Sequence, residues 1–314
     1  MRWFLLIFGC LLSAFASATL NDGIKAFKKK KYDLALAEFR QLASVGNVEA
    51  RYYLGLMQKD GLGMPQDPGR ALAWFKKSAS QGHGDSNYQI GKMYLNGDGV
   101  EQDTEGAIEW LVKAAEQNST AAQYDLATLY YKGELHEKDL NQAVKWFQAA
   151  AANGHLESQY QLASLFYKEE GAFHDTDTAL TWYRKAAEGG HLEAKYTLAY
   201  FYFDGQILEK DYPLSFSLFS EVAQTGNRNA QYMLGYMYDY GMGVDKNISS
   251  AFDWYLNAAK QGYDEAQLIV GYMYFTGKGA KKNPKAAEEW LQKAVAQGNA
   301  KAKKMLDDMR GVKE

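Results

Sequence analysis

The sequence predicts an all-α fold in which helix pairs stack as a solenoid, and a fixed internal period supports this. A marker residue, glycine in seven of eight copies, recurs every 36 residues without insertion. A small side chain follows each marker at position four and an aliphatic one at position eight. The markers are Gly46, Gly82, Asn118, Gly154, Gly190, Gly226, Gly262 and Gly298. A period of this length is typical of stacked repeats, in which each unit buries its apolar face against the next.

Each repeat contains a helix of about 12 residues, a glycine-containing loop and a second helix, as apolar spacing and turn signals indicate. Positions four, eight and eleven after the marker form the expected buried stripe of the first helix. The first loop glycine suits the left-handed end of that helix. An Asp or Asn closes the loop and is expected to cap the second helix, which explains the aligned carboxylates without acid–base chemistry. These residues are Asp67, Asp103, Asp139, Asp175, Asp211, Asn247 and Asn283.

The second helices carry a recurring aromatic pair followed by two small residues. Trp74-Phe75, Trp146-Phe147, Trp182-Tyr183 and Trp254-Tyr255 share one register, which Trp110 and Trp290 also occupy. Small residues allow helices to approach closely, and an aromatic ring fills the space between layers. We therefore expect the tryptophans to belong to the core and not to a ligand cage.

The order of segments predicts the domain organisation. Residues 1–18 resemble a secretory signal with an Ala16-Ser17-Ala18 cleavage site, although a lipoprotein acylated at Cys10 is an alternative. Residues 19–46 form a capping helix pair, and residues 299–314 form a C-terminal capping helix. Residues 47–298 hold seven repeats: 47–82, 83–118, 119–154, 155–190, 191–226, 227–262 and 263–298. Cleavage after Ala18 would leave a mature chain without cysteine and without an integral membrane segment.

Composition excludes several function classes. The net charge of −3 gives no indication of nucleic-acid binding, although residues 1–31 and 278–314 each carry +5 and residues 32–277 carry −13. His83, His155 and His191 share one register and are expected to lie too far apart to bind one metal ion. The sequence contains no nucleophile motif and no phosphate-binding loop. We therefore expect no catalytic residues, no metal site and no cofactor.

The units are similar to Sel1-like repeats, a tetratricopeptide-related family. The segment Ala230-Gln-Tyr-Met-Leu-Gly-Tyr-Met-Tyr-Asp-Tyr-Gly-Met-Gly-Val244, followed by Asn247, Ala251, Trp254-Tyr255 and Ala258-Ala259, matches the family pattern almost in full. The resemblance covers roughly residues 47–298. It implies a right-handed α-solenoid, a superhelix of helix-turn-helix units, that acts as a non-enzymatic adaptor between proteins. It identifies no particular partner.

The helical period predicts a partner surface on the concave face, away from the buried stripe. Tyrosine recurs at position six and aromatic residues appear at positions ten and thirteen, while position three is mostly acidic. Tyrosine at position six also fits simple packing between neighbouring first helices, and this alternative remains open. Aromatic residues often dominate binding energy, and acidic neighbours favour a basic peptide. The predicted partner-binding residues are Tyr160, Tyr167, Tyr196, Tyr200, Phe203, Tyr232, Tyr236, Tyr272, Phe275, Glu157, Glu193 and Glu265.

These observations predict a scaffold of the cell envelope or secretory pathway that binds a protein or peptide partner. With the signal, the protein would be periplasmic or secreted in a bacterium, or lie in the endoplasmic reticulum lumen of a eukaryote. The alternative is a cell-wall protein whose aromatic groove binds peptidoglycan or other glycans. The salt dependence of binding would distinguish these alternatives, because basic-peptide binding weakens as ionic strength rises whereas stacking on sugars hardly responds.

Overall fold

The computed structural model describes residues 20–133 and 137–311, which are α-helical with no strand among them. The predicted signal segment, residues 1–18, lies outside the described residues. The chain divides into two compact units, the first ending at Ser158 and the second beginning at Gln159. Within each unit, helices that follow one another in sequence pack against each other. The predicted all-α solenoid is confirmed.

The first unit is built from consecutive helix pairs. Residues 20–28 form α1. The helices that follow are α2 (Tyr32–Ser44), α3 (Val48–Asp60), α4 (Pro68–Ala79), α5 (Gly84–Asn96), α6 (Thr104–Glu116), α7 (Thr120–Lys132) and α8 (Leu140–Ala152). The ninth helix, α9 (Leu156–Lys168), crosses the division between the units.

The second unit continues the same alternation after a short 3-10 turn at Gly171–Phe173. Its helices are α10 (Thr176–Glu188), α11 (Leu192–Asp204), α12 (Tyr212–Gln224), α13 (Arg228–Tyr240), α14 (Ile248–Lys260), α15 (Asp264–Thr276), α16 (Pro284–Ala296) and α17 (Ala300–Arg310). The 3-10 turn follows Glu169, which replaces the first loop glycine of the other repeats, so this loop differs from its neighbours.

Helix boundaries follow from local chemistry. The side chain of every predicted loop-closing Asp or Asn accepts a hydrogen bond from the backbone N–H three residues later, so the capping prediction is confirmed. All eight marker residues adopt positive φ angles, from 64° at Asn118 to 97° at Gly190. This left-handed conformation costs most L-residues free energy, whereas glycine and asparagine tolerate it. The marker therefore marks the turn between one repeat and the next.

The core follows the predicted stripe but differs at the tryptophans. Positions four and eight are buried in every repeat, including Ala230 and Leu234. On the second helices the fully buried ring is the residue after tryptophan, as in Phe75 and Tyr255. Trp146 is buried, but the other five tryptophans on these helices are half-buried. The tryptophans therefore belong to the core only in part. The next residue, an aromatic ring or Leu111 or Leu291, takes the fully buried position, and each half-buried tryptophan packs against the edge of a core cluster.

A lysine side chain lies over the exposed side of most of these tryptophans. The Nζ atom of Lys293 is 4.0 Å from the centre of the Trp290 ring, and Lys77 is 4.8 Å from Trp74. An ammonium group over an indole face is attracted by the ring quadrupole. The tryptophans thus mark the solvent side of the second helices.

Buried amides join successive repeats. Gln267 at position five donates to the carbonyl of Ala259 at 3.1 Å and accepts from Gln297 at 2.9 Å. Gln231 and Gln261 make the equivalent contact at 2.8 Å, 36 residues earlier. Asn153 donates to Gln123 in the first unit at 3.1 Å. Each pair lies 30 residues apart in sequence and connects the first helix of a repeat to the end of its second helix, whereas the bond from Gln267 to Ala259 reaches the preceding repeat.

Candidate functional site

The tyrosines at position six form packing contacts between neighbouring repeats. Three of these rings lie over the N-cap residue of the next first helix: Tyr52 over His83, Tyr160 over His191 and Tyr232 over Tyr263, each at 4.8 Å between ring centres. These histidines also cap the helix, since the Nδ1 atoms of His83 and His191 accept backbone N–H groups. This geometry supports the packing alternative for position six.

Burial raises the pKa values of the hydroxyl groups of two of these tyrosines. Burial, with smaller contributions from the neighbouring Tyr263 and Glu265, raises the pKa of Tyr232 to about 12. Burial likewise raises the pKa of Tyr196, which packs edge-on against Phe219 at 5.4 Å. Because a phenol in water ionises near 10, both hydroxyls stay protonated at physiological pH. Their rings support the repeat junctions and present little free surface.

Acidic residues at position three divide into two groups. In the first unit, Glu49 contacts Nε2 of His83 at 3.0 Å, and Asp85 accepts from the Ser119 hydroxyl at 2.6 Å. These acids therefore pair with the start of the next first helix. Glu157, also in the first unit, is half-buried, whereas Glu193 and Glu265 in the second unit are exposed.

Positions ten and thirteen carry the accessible rings. Tyr200 and Tyr272 are each 46% exposed, and Phe275 is 37% exposed. Phe203 is half-buried and packs edge-on against Tyr236 of the next repeat at 5.9 Å. Tyr167 is also half-buried, with its ring 5.1 Å from Phe201. The free aromatic area thus concentrates on α11, α13 and α15.

Tyr240 is a surface residue that the sequence analysis missed. At 59% it has the largest exposed fraction of any aromatic ring described as exposed, and its ring centre lies 4.5 Å from that of Tyr236. It occupies position fourteen, one helical turn after Tyr236. The spacing of four residues that places side chains on one helix face was the available signal.

A fixed ion pair lies beside these rings. Lys278 Nζ donates to Asp239 Oδ1 at 2.9 Å. This hydrogen bond raises the pKa of the Lys278 ammonium, which therefore stays charged. We call the surface formed by Tyr200, Phe203, Tyr236, Tyr240, Tyr272 and Phe275 the aromatic face. The aromatic face lies wholly within the second unit, and it can make apolar and ring-stacking contacts with a ligand.

Among residues 20–133 and 137–311, no three His, Cys, Asp or Glu side chains are grouped to hold a metal ion. None of the helices described is both long and apolar enough to cross a membrane.

Comparison with protein families places the chain among the Sel1 repeat proteins. Seven consecutive Sel1 repeats match residues 48–83, 84–119, 120–155, 156–191, 192–227, 228–263 and 264–299. The chain belongs to the Sel1 repeat family. Proteins with this fold typically act as protein–protein interaction scaffolds, since stacked repeats present extended binding surfaces. A search of curated proteins gives no match.

Two solved structures are similar over nearly the whole chain. One is c5321, "a protective antigen present in uropathogenic Escherichia coli strains displaying an SLR fold", with TM-score 0.84 and 33% identity. That similarity covers 94% of this chain and 64% of c5321, so this chain spans less than two thirds of its length. A Sel1 repeat protein from Oxalobacter formigenes has TM-score 0.65 and 29% identity, with coverage of 96% and 90%.

Proposed function

We propose that this protein is a non-enzymatic scaffold that binds a segment of a partner protein on the aromatic face. The observation that carries the proposal is the exposure of Tyr200, Tyr240, Tyr272 and Phe275 on three successive first helices. Exposed apolar groups that are contiguous on a protein surface often mark an interaction site. Rings of this type also supply much of the energy of protein interfaces.

The charges near the aromatic face support a partner with basic character along α11 to α15. Glu193 and Glu265 are exposed at position three of α11 and α15. Exposed acids beside an apolar surface attract cationic side chains and exclude anionic ones. The sequence predicts twelve partner-binding residues, and we propose seven of them as the binding set. These are Tyr200, Phe203, Tyr236, Tyr272, Phe275, Glu193 and Glu265. We add Tyr240.

We further propose that the protein acts after export, in the periplasm or outside the cell. The support is the N-terminal sequence alone, which has one positive charge, an apolar run and an Ala-x-Ala site. The similarity to c5321, which is described as a protective antigen, agrees with such a location. Mass spectrometry of the N-terminus in an envelope fraction tests this, with Thr19 as the expected first residue.

The alternative candidate is binding of peptidoglycan or other glycans, because exposed tyrosine rings also stack on sugars. The two candidates differ in their response to salt. A basic peptide held partly by Glu193 and Glu265 should dissociate more readily as ionic strength rises. Glycan binding by ring stacking should be nearly independent of ionic strength.

Affinity capture with a designed variant tests the scaffold proposal. The bait is the full mature chain, compared with Tyr200→Ala/Tyr240→Ala, which removes two exposed rings and leaves the packed Tyr236 in place. The control is Leu214→Ala, which removes an exposed apolar side chain (39% exposed) from a second helix of the same unit. We expect one protein to be retained by the wild type and the control and lost by the double variant.

Other outcomes would contradict the proposal. Equal recovery by all three baits, with each shown to be folded by circular dichroism, would place the partner elsewhere. Retention of cell-wall fragments alone would favour the glycan alternative.

A further inference from the structure

A pocket of about 430 Å³ lies at the end of the aromatic face, between α15 and α17. Tyr272 and Phe275 line it from α15, and Met305 and Met309 line it from α17. Both methionine side chains are half-buried, and both α15 rings are exposed. The walls are mainly apolar. A pocket of this volume is large enough to enclose one or two side chains.

The repeat register explains why this pocket is open. Between α11 and α13, the ring at position thirteen, Phe203, packs against the ring at position ten of the next repeat, Tyr236. Between α15 and α17 the same two positions hold Phe275 and Asp308. One ring of the pair is therefore missing, because aspartate takes its place. The vacant volume is in the register where an aromatic side chain packs elsewhere in the unit.

The charge of the pocket walls differs from the charge around the rest of the aromatic face. Position three is glutamate in α11 and α15 but Lys301 in α17, and position six changes from tyrosine in α13 to Lys304. Both lysines line the pocket, and Asp308 is the acid among its lining residues. Lys282 adds a third cation, with Nζ 5.8 Å from the centre of the Phe275 ring. This end of the face is thus electropositive.

We propose that the pocket binds an aromatic side chain from a partner segment in which acidic residues flank the aromatic one. The ring occupies the place of the missing position-ten ring, against Phe275 and the methionines. Sulfur and aromatic carbon make favourable contacts with such a ring. The flanking carboxylates contact Lys301 and Lys304, which the surface charge favours.

The inference rests on the proposed function and gives the bound segment a direction. A partner segment would present basic residues near Glu193 and Glu265 and an acidic-aromatic motif at α17. The opposite orientation would place carboxylates near glutamate and cations near lysine. Like-charge contacts of this kind disfavour the wrong arrangement.

Short synthetic peptides test the pocket directly. Ac-Gly-Glu-Trp-Glu-Gly-NH2 and Ac-Gly-Lys-Trp-Lys-Gly-NH2, each carrying 5-fluorotryptophan, are titrated with the full chain and followed by fluorine NMR, which also detects weak binding. We expect the acidic peptide to bind about tenfold more tightly, a difference of roughly 1.4 kcal/mol. An unlabelled peptide with alanine in place of tryptophan should not displace it.

Charge reversal on one helix provides matched variants. Lys304→Glu should weaken binding of the acidic peptide about tenfold, and Lys303→Glu should leave binding unchanged because Lys303 does not line the pocket. Phe275→Ala should weaken both tryptophan peptides. Thermal unfolding followed by circular dichroism confirms that each variant is folded. Equal binding of the two peptides, or equal effects of the two lysine variants, would overturn the proposal.

Three further outcomes are informative. Concentration-dependent dimerisation of the wild type, abolished by Lys304→Glu, would assign the pocket to a second copy of this chain and overturn the proposal. If the acidic peptide fails to bind but Tyr200→Ala/Tyr240→Ala still loses its captured partner, only the pocket inference fails. If the peptide binds and the double variant captures normally, only the proposed use of the wider aromatic face fails.

Discussion

At the scale of single residues, the fold depends on positions where one side chain or one φ angle is required. The markers are the clearest case. Gly262 has a φ of 84°, and no atom lies within 4 Å of where a Cβ would stand. The marker is therefore glycine because of the backbone conformation and not because of crowding. Asn118, with a φ of 64°, shows that asparagine is compatible with the same turn.

Substitutions at Gly262 test whether the backbone conformation is the reason for glycine at this position. We expect Gly262→Ala to lower the free energy of unfolding by about 1 kcal/mol, because alanine resists the left-handed conformation. Gly262→Asn should cost clearly less. Urea unfolding followed by circular dichroism measures both. Equal losses for the two variants would show that the φ angle is not the cause.

His155 should make stability dependent on pH. Its Nδ1 accepts from the backbone N–H of Ser158 at 3.2 Å, and its ring lies 4.9 Å from that of Tyr124. Burial lowers the pKa of His155 below its usual value, although Glu157 and Asp125 oppose this. As pH falls below about 6.5, the unfolded chain binds a proton that the folded chain resists, so stability decreases.

His155→Asn tests this effect with a residue that caps first helices elsewhere in the chain, at Asn47 and Asn227. We expect the wild type to lose more stability than the variant between pH 7.5 and 5.5, both measured by urea unfolding. His83 and His191 are present in both proteins and cancel in the comparison. An identical loss in the two would refute the assignment to His155.

At the scale of helices, buried amides hold one repeat against the next. Gln267 is 4% exposed, and both ends of its amide are hydrogen-bonded. Gln267→Ala should lower the free energy of unfolding by about 2 kcal/mol, because it leaves the Ala259 carbonyl without this donor. Gln297→Ala, at the exposed partner, should cost less. A double-mutant cycle of the two positions should show coupling, and strict additivity would argue against the contact.

Sequence reasoning succeeded where a single repeat contains all the information. The caps at Asp67 and Asn283 depend on a side chain and a backbone N–H three residues away, so local pattern was sufficient. The Gln267 amide donates to the Ala259 carbonyl of the preceding repeat, and only a comparison of positions across the whole register would have revealed this contact. The adjacent rings of Trp254 and Tyr255 both suit a core, and sequence alone does not say which one faces inward.

The candidate surface was predictable in part for the same reason. The helical period indicated that positions ten and thirteen face away from the buried stripe, and Tyr200, Tyr272 and Phe275 at these positions are exposed. Position six was ambiguous, because its tyrosine contacts a residue of the next repeat. The pocket at α17 was not foreseen, since it results from a ring that is absent at Asp308.

At the scale of the whole molecule, stacked repeats contact mainly their sequence neighbours, so a local defect should remain local. Hydrogen exchange can test this with Gly262→Ala. We expect faster exchange in α14, α15 and α16, and little change in α2 to α4, because opening in such arrays occurs in contiguous segments. Uniform acceleration along the chain would indicate that the fold opens as one cooperative unit.

The placement of the half-buried tryptophans also has an optical consequence. The six tryptophans in the described chain all lie on second helices, whereas the aromatic face on the first helices contains tyrosine and phenylalanine only. Emission excited at the red edge of the indole band therefore comes from residues outside the aromatic face. This emission should change when the protein unfolds and should stay constant when a partner binds to the aromatic face. Tryptophan fluorescence can therefore serve as a folding control in binding assays of this protein.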